Sequence, residues 1–183
     1  MPCKIERMIF PMVISVLLVF LFLLPSCGQE PAPANATHNF NMMDDTLLNY
    51  NKGVMLTEDR EIEDFIFRYH WKMTKSPTGL RYFIYTRGSG KKAEKGERAT
   101  LQFTVRLLNG NLCYSSVVDG KKTFKIGYGG VESGLEEGIL LLKVGDKAKF
   151  ILPSHLAFGL LGDQNKIPQN ASLVYDVELV EIK

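Results

Sequence analysis

Covalent chemistry finds little to work with in this chain. A nucleophilic serine or cysteine needs a base within hydrogen-bond reach and a third group to orient that base. The only histidine beyond residue 70 is His155, in the stretch Pro153-Ser154-His155, and no Ser-His-Asp or Cys-His pattern forms around it. Of the three cysteines, Cys113 stands alone in the apolar stretch Leu112-Cys113-Tyr114, where a cysteine behaves as a small buried hydrophobe. Aromatic residues are plentiful, and for any one of them ordinary core packing is the default reading. Spacing alone names no covalent reaction.

The elements that would position any site are mostly strands. Leu80, Tyr82 and Ile84 alternate, and Gly88-Ser89-Gly90 breaks the run. Thr100 to Leu108 reads as a second strand. Asn109-Gly110 predicts a two-residue hairpin turn, because both residues tolerate positive φ. Leu112 to Tyr114 returns, Phe124-Lys125-Ile126 alternates briefly, and Leu135 to Leu142 has a helix pattern closed by Lys143-Val144-Gly145. Ala148 to Leu152 and Leu173 to Ile182 finish as strands. This order predicts an α+β fold, a twisted antiparallel sheet wrapped around one short helix.

A helical extension is expected ahead of the sheet. Thr57 predicts an N-cap, with Glu58, Asp59 and Glu61 as acids in the first turn. Ile62, Phe65, Ile66 and Tyr69 follow at the spacing of one helix face, which Trp71 and Met73 extend. Ser76-Pro77 ends it. Thr46 to Tyr50 predicts a preceding helical turn. The stripe predicts packing on the following domain, with dimerisation or partner docking as the alternative.

The 183 residues suffice for one domain with extensions. A net charge of +2 without a basic patch argues against a nucleic-acid partner. Lys4 and Arg7 precede the apolar run Met8 to Leu24, and Leu24-Pro25-Ser26-Cys27 follows. Small residues just before a cysteine resemble the bacterial lipobox, which implies cleavage before Cys27 and lipidation of its thiol. The alternative is an uncleaved span, since the run sits at the short edge of the roughly 17–25 residues such a helix uses. The expected organisation is a signal peptide and lipidation cysteine over 1–27, a flexible tether over 28–45, the helical extension over 46–75 and the folded domain over 76–183. With Cys3 removed and Cys27 modified, Cys113 has no disulfide partner. The expected location is the bacterial envelope, lipid-anchored and periplasm-facing. Gly28 stands where an aspartate would signal inner-membrane retention in some bacteria, which leans toward the outer membrane.

Several blocks then carry a resemblance. Gly134-Leu135-Glu136-Glu137-Gly138, Val144-Gly145-Asp146-Lys147-Ala148-Lys149, Pro153 to Gly159, Ile167-Pro168 and Leu173 to Leu179 occur in the order and spacing of the FKBP family of peptidyl-prolyl cis-trans isomerases. The opening Thr78-Gly79-Leu80-Arg81-Tyr82 is similar to the first strand of bacterial members. The whole chain resembles the gliding-motility-associated branch of bacterial FKBP lipoproteins. The resemblance implies an FKBP-like fold and isomerisation of proline-containing segments of exported proteins. It implies no metal or cofactor, and binding of rapamycin-type macrolides. It places the proline pocket at Phe103, Cys113, Tyr114, Phe124, Val131, Glu132, Leu135, Phe158, Ile167 and Tyr175. Leu135 is expected as the floor and Phe124 and Tyr175 as walls, with the Glu132 N–H holding a substrate carbonyl.

The sequence departs from the family's usual pattern at the polar positions. A Phe-Asp pair is replaced by Cys113-Tyr114, so an acid is missing. The floor tryptophan is Leu135, two tyrosines are Phe103 and Phe158, and an isoleucine is Glu132. Lost hydrogen bonds, each worth about 0.5–1.5 kcal/mol, imply modest activity. Tyr114 is expected to supply a hydroxyl from a new direction. The alternative is a binding or scaffold module that holds proline segments without turning them over.

Overall fold

The computed structural model describes residues 36–183, with side chains described from Leu48 onward; the expected signal peptide, Cys27 and the first part of the tether lie outside the described residues. The strands are β1 (Thr74–Lys75), β2 (Arg81–Thr86), β3 (Arg98–Leu107), β4 (Leu112–Ser115), β5 (Lys122–Lys125), β6 (Lys147–Leu152) and β7 (Leu173–Ile182). They form one antiparallel sheet in the order β1-β2-β6-β7-β3-β4, with β5 also paired to β3. The long β3 therefore has two partners on one edge. Its first half pairs with β5 and its second half with β4. In the gap between them the Phe103 N–H donates to the Ser116 hydroxyl at 3.2 Å, which satisfies a donor that neither strand reaches.

The period-2 pattern gives β6 and β7 two apolar faces. Phe150, Leu152, Tyr175 and Val177 point into the main core, while Ile151 and Val174 point the opposite way. The inner face is covered by helix α3 (Ser133–Ile139), preceded by the short α2 (Ser116–Asp119). Two glycines let α3 lie close to the sheet. A Cβ on Gly134 would sit 2.7 Å from Leu152 Cγ, and one on Gly138 would sit 2.7 Å from Phe150 Cε2. The helix ends at Ile139, short of the expected Leu142.

The outer face is covered by the C-terminal part of helix α1 (Ala36–Arg68). Leu47–Lys183 forms a compact unit, within which Ile62 and Phe65 bury against Ile151 and Val174, with Trp71 and Met73 packed beside them. The packing reading of the amphipathic stripe is thus correct, and two local expectations are overturned. Thr57 is not an N-cap: α1 runs straight through it, and its hydroxyl donates to the Gly53 carbonyl at 3.0 Å, one turn back. The helix stops at Arg68 rather than at Ser76-Pro77. His70 takes φ +54°, and the chain then doubles back so that Trp71 and Met73 join the same cluster from an extended segment. The helix begins at Ala36, inside the segment expected to be a tether. Among the described residues no helix is long and apolar enough to cross a membrane.

Arg81 fastens α1 to β2. It is 1% exposed, and its guanidinium donates to Glu63 at 2.9 Å, to the Gly79 carbonyl at 2.6 Å and to Asp59. The Arg81 and Lys75 hydrogen bonds hold the Asp59 carboxyl below the usual carboxylate range. Both acids are substantially exposed, so water softens their loss. Arg81→Ala is expected to cost about 2 kcal/mol, read as a lower urea midpoint at unchanged slope.

The β3–β4 hairpin also differs from expectation. Leu107 N–H donates to Asn111 O at 3.0 Å and Gly110 N–H to Leu107 O at 2.9 Å. This closes a three-residue loop, Leu108-Asn109-Gly110, with only Gly110 left-handed at φ +90°. Asn109 instead turns its side chain to accept from Asn111 N–H at 3.0 Å.

Candidate active site

A cavity of about 520 Å³ opens on the split edge of β3. It is bounded by β3, β7, the α2–β5 turn, the start of α3 and the long β6–β7 loop. Phe103 and Val105 come from β3, Tyr175 from β7, Tyr114 from β4, Glu132 from the position before α3, and Phe158, Asp163 and Asn165 from the loop. Phe103, Tyr175 and Phe158 supply aromatic wall, and Val105 adds aliphatic surface.

Two carboxylates take up the hydroxyls on this wall. Tyr175 donates to Glu132 Oε1 at 2.6 Å, deep in the cavity. Burial, then the Glu132 charge, push the Tyr175 hydroxyl well above its ordinary value, so it stays a donor. At the rim Tyr114 donates to Asp163 Oδ2. That bond, with burial second, raises Tyr114. Burial opposes ionisation of Asp163, but Tyr114 and the N–H groups of Ile167, Asn165 and Lys166 outweigh it and hold its pKa below the ordinary value.

Glu132 stands at the N-cap of α3 and makes no capping bond with its side chain. Its neighbour Glu136 braces the approach by accepting from Gly127 N–H at 3.2 Å and Gly129 N–H at 3.1 Å. The Glu132 side chain is free to point at Tyr175. Its second oxygen, Oε2, is buried with no hydrogen-bond donor among the described residues. Lys122 Nζ stands 3.5 Å away, at ion-pair range, and lies 5.4 Å from the Phe103 ring centroid. The Glu132 backbone N–H has no partner among the described residues. A wall of this make-up can desolvate an apolar ring and offer it a backbone donor. Among the described residues no His, Cys, Asp and Glu cluster is suited to a metal.

A sequence model of the FKBP-type peptidyl-prolyl cis-trans isomerase family matches residues 89–180. This chain belongs to that family. The probable FKBP-type peptidyl-prolyl cis-trans isomerase FkpA of Neisseria meningitidis serogroup B is 37% identical over 139 residues, covering 75% of this chain and 48% of that protein. FK506-binding protein 2 of Dictyostelium discoideum is 42% identical over 92 residues, covering 50% of this chain and 69% of that protein. The crystal structure of AtFKBP13 superposes with a TM-score of 0.59 at 30% identity, covering 62% of this chain and 100% of that one. FkpA from Escherichia coli gives a TM-score of 0.62 over 100% of this chain and 84% of that one, and at 24% identity the likeness is one of fold. The chain spans about half the length of the Neisseria relative, 48%.

Within this FKBP domain, Phe103, Tyr114, Glu132, Phe158 and Tyr175 line the cavity together. Phe124, Leu135, Ile167 and Cys113 do not line it. They share the buried core cluster with Phe103, Val105 and Tyr175, with Leu135 fully enclosed, and Val131 packs half-buried against that cluster. Cys113 points under the loop, with Sγ 3.7 Å from Lys166 O, and burial first, then Asp163, push its thiol up. His155 is exposed and meets the Thr78 carbonyl at 3.0 Å. Sequence reasoning missed Val105, the Asp119–Lys122 turn, Asp163 and Asn165. The missing acid of the Phe-Asp pair offered the one available clue to Asp163. A tyrosine in the acid's place needs an acceptor, and the FKBP loop supplies one from across the cavity.

Proposed function

We propose that this FKBP domain binds Xaa-Pro segments of exported proteins in the β3 cavity and catalyses their cis-trans isomerisation at a modest rate. The barrier is the loss of amide resonance, about 18–20 kcal/mol. The twisted amide is less polar than the planar one, so a water-excluding wall favours it, and a donor aimed at the rotated carbonyl adds to the preference. The observation that carries the reading is the meeting of Phe103, Phe158 and Tyr175 around one cavity, with the Glu132 N–H, which has no partner among the described residues, beside them. Proline-containing clients and rapamycin-type macrolides are the ligands this chemistry fits. The Lys4-Arg7, apolar run and Cys27 pattern supports a lipid anchor on the periplasmic side, outer membrane favoured, in a protein of the gliding-motility-associated branch.

One observation favours a second reading, a module that binds without turnover. Both tyrosine hydroxyls on the cavity wall already donate to carboxylates, so neither is left for a substrate carbonyl. The test is isomerisation of a short Xaa-Pro peptide by the chain and by Phe158→Tyr. Measurable turnover, raised at least threefold by Phe158→Tyr, is expected. A folded chain with no turnover, whose Phe158→Tyr version is active, would establish the binding module instead.

A further inference from the structure

The extension helix touches the loop that walls the cavity through one buried acid. Glu58 of α1 is 8% exposed. Its Oε1 accepts from Ser154 N–H at 2.6 Å and from the Ser172 hydroxyl at 2.6 Å, and its Oε2 accepts from the Ser154 hydroxyl at 3.0 Å. Ser154 lies just after β6 and Ser172 just before β7, so one carboxylate ties together the two ends of the connecting loop.

That loop has no regular element longer than one turn, and short backbone bonds together with Leu156 and Ile167 in the core hold its middle. It contains one 3-10 turn, Ser154–Leu156, and places Gln164 and Asn170 at positive φ. Gly159 N–H donates to Ser154 O and Asn170 N–H to Gly159 O, each in line with the base. At the tip Ile167 N–H donates to Asp163, which in turn accepts from Tyr114. Beside its core contacts the loop is fixed at its tip by the cavity rim and at its base by Glu58. Arg81 also holds α1, but to β2 rather than to this loop. Charge-assisted bonds from a buried acid are stronger than neutral ones, and removing the acid strands an N–H and two hydroxyls.

We propose that Glu58 is a positioning residue for the prolyl pocket, which makes the N-terminal helix part of the binding apparatus. The proposal rests on the reading of the cavity as the prolyl site. It is tested on the full chain with Glu58→Gln, which turns one acceptor into a donor, and with exposed Glu61→Gln on the same helix as control. Amide hydrogen exchange and peptide isomerisation are measured together. In E58Q the Gly159, Ile167 and Asn170 amides are expected to exchange at least tenfold faster while the β3–β7 ladder keeps parental rates. The catalytic kcat/KM is expected to fall at least fivefold, mostly through KM. Parental exchange in the loop would overturn the proposal, as would loop and ladder accelerating equally, the sign of global destabilisation. Faster loop exchange in a chain whose parent isomerises no peptide would overturn the prolyl-site reading and keep the clamp. Should E58Q fail to fold, Ser172→Ala removes one of the three bonds, and about threefold faster loop exchange is then expected, with no change overturning the proposal.

Discussion

Tyr175→Phe is expected to destabilise the domain by about 3 kcal/mol, although it removes a single oxygen. The reason lies with its partner. Glu132 Oε1 has the Tyr175 hydroxyl as its donor, and Oε2 already has none. Without Tyr175 the buried carboxylate keeps only Lys122, at 3.5 Å. Glu132→Ile, made in the Tyr175→Phe background, removes the stranded group and fills its space with apolar atoms, and is expected to restore most of the loss. Urea midpoints of the parent, both single variants and the double variant measure the coupling. Equal midpoints for Tyr175→Phe and the double variant would show that the carboxylate is satisfied some other way. The pH dependence follows from the raised Tyr175 pKa. Its contribution is complete below 10.0, the hydroxyl's ordinary value, and is lost only as pH rises through the higher folded value.

Gly162→Ala is expected to lower peptide isomerisation at least tenfold while leaving the sheet intact. Gly162 has φ +64°, and a Cβ there would stand 2.3 Å from Ile167 O and 2.8 Å from Pro168 C. Left-handed backbone costs an alanine about 1–2 kcal/mol, and a backbone neighbour cannot rotate away as a side chain can. The loop tip must move, and Asp163 moves with it, which breaks the Tyr114 contact at the cavity rim. Each 1.36 kcal/mol lost from transition-state binding is a factor of about ten in rate. Gly159→Ala is the matched control. It shares the left-handed conformation, φ +59°, and a Cβ there meets nothing within 4 Å. A kcat/KM for Gly159→Ala close to the parent's, beside a large loss in Gly162→Ala, isolates the clash. Equal losses would assign the effect to backbone conformation alone.

The amino-acid order by itself determined six of the seven described strands, the α+β class and the place of the inner helix, while β1, Thr74–Lys75, falls inside the segment expected to be helical extension. Those depend on local alternation and on glycine spacing, which neighbouring residues carry. Leu173-Val174-Tyr175 is an unbroken apolar run because one β7 face meets the main core while Val174 meets α1, and alternation begins only at the half-buried Asp176 and Glu178. The aromatic set at the cavity was legible through a resemblance spread over many blocks. Leu135 and Phe124, expected as floor and wall, share one buried core cluster with the lining residues Phe103, Val105 and Tyr175, and which members of that cluster reach the cavity is decided by packing rather than by residue type. Thr57 was misread for a similar reason. A threonine followed by acids looks like a helix start, and only the helical path of the residues before it makes its hydroxyl bond backward to Gly53. The acids after it were expected to answer the helix dipole. In the folded chain Glu58 reaches Ser154 and Ser172, and Asp59 reaches Arg81. Tyr114 and Asp163 likewise meet across the cavity from distant segments. These partnerships join residues far apart in the chain. No local period encodes them, and they exist only once the sheet has brought its loops and the outer helix together.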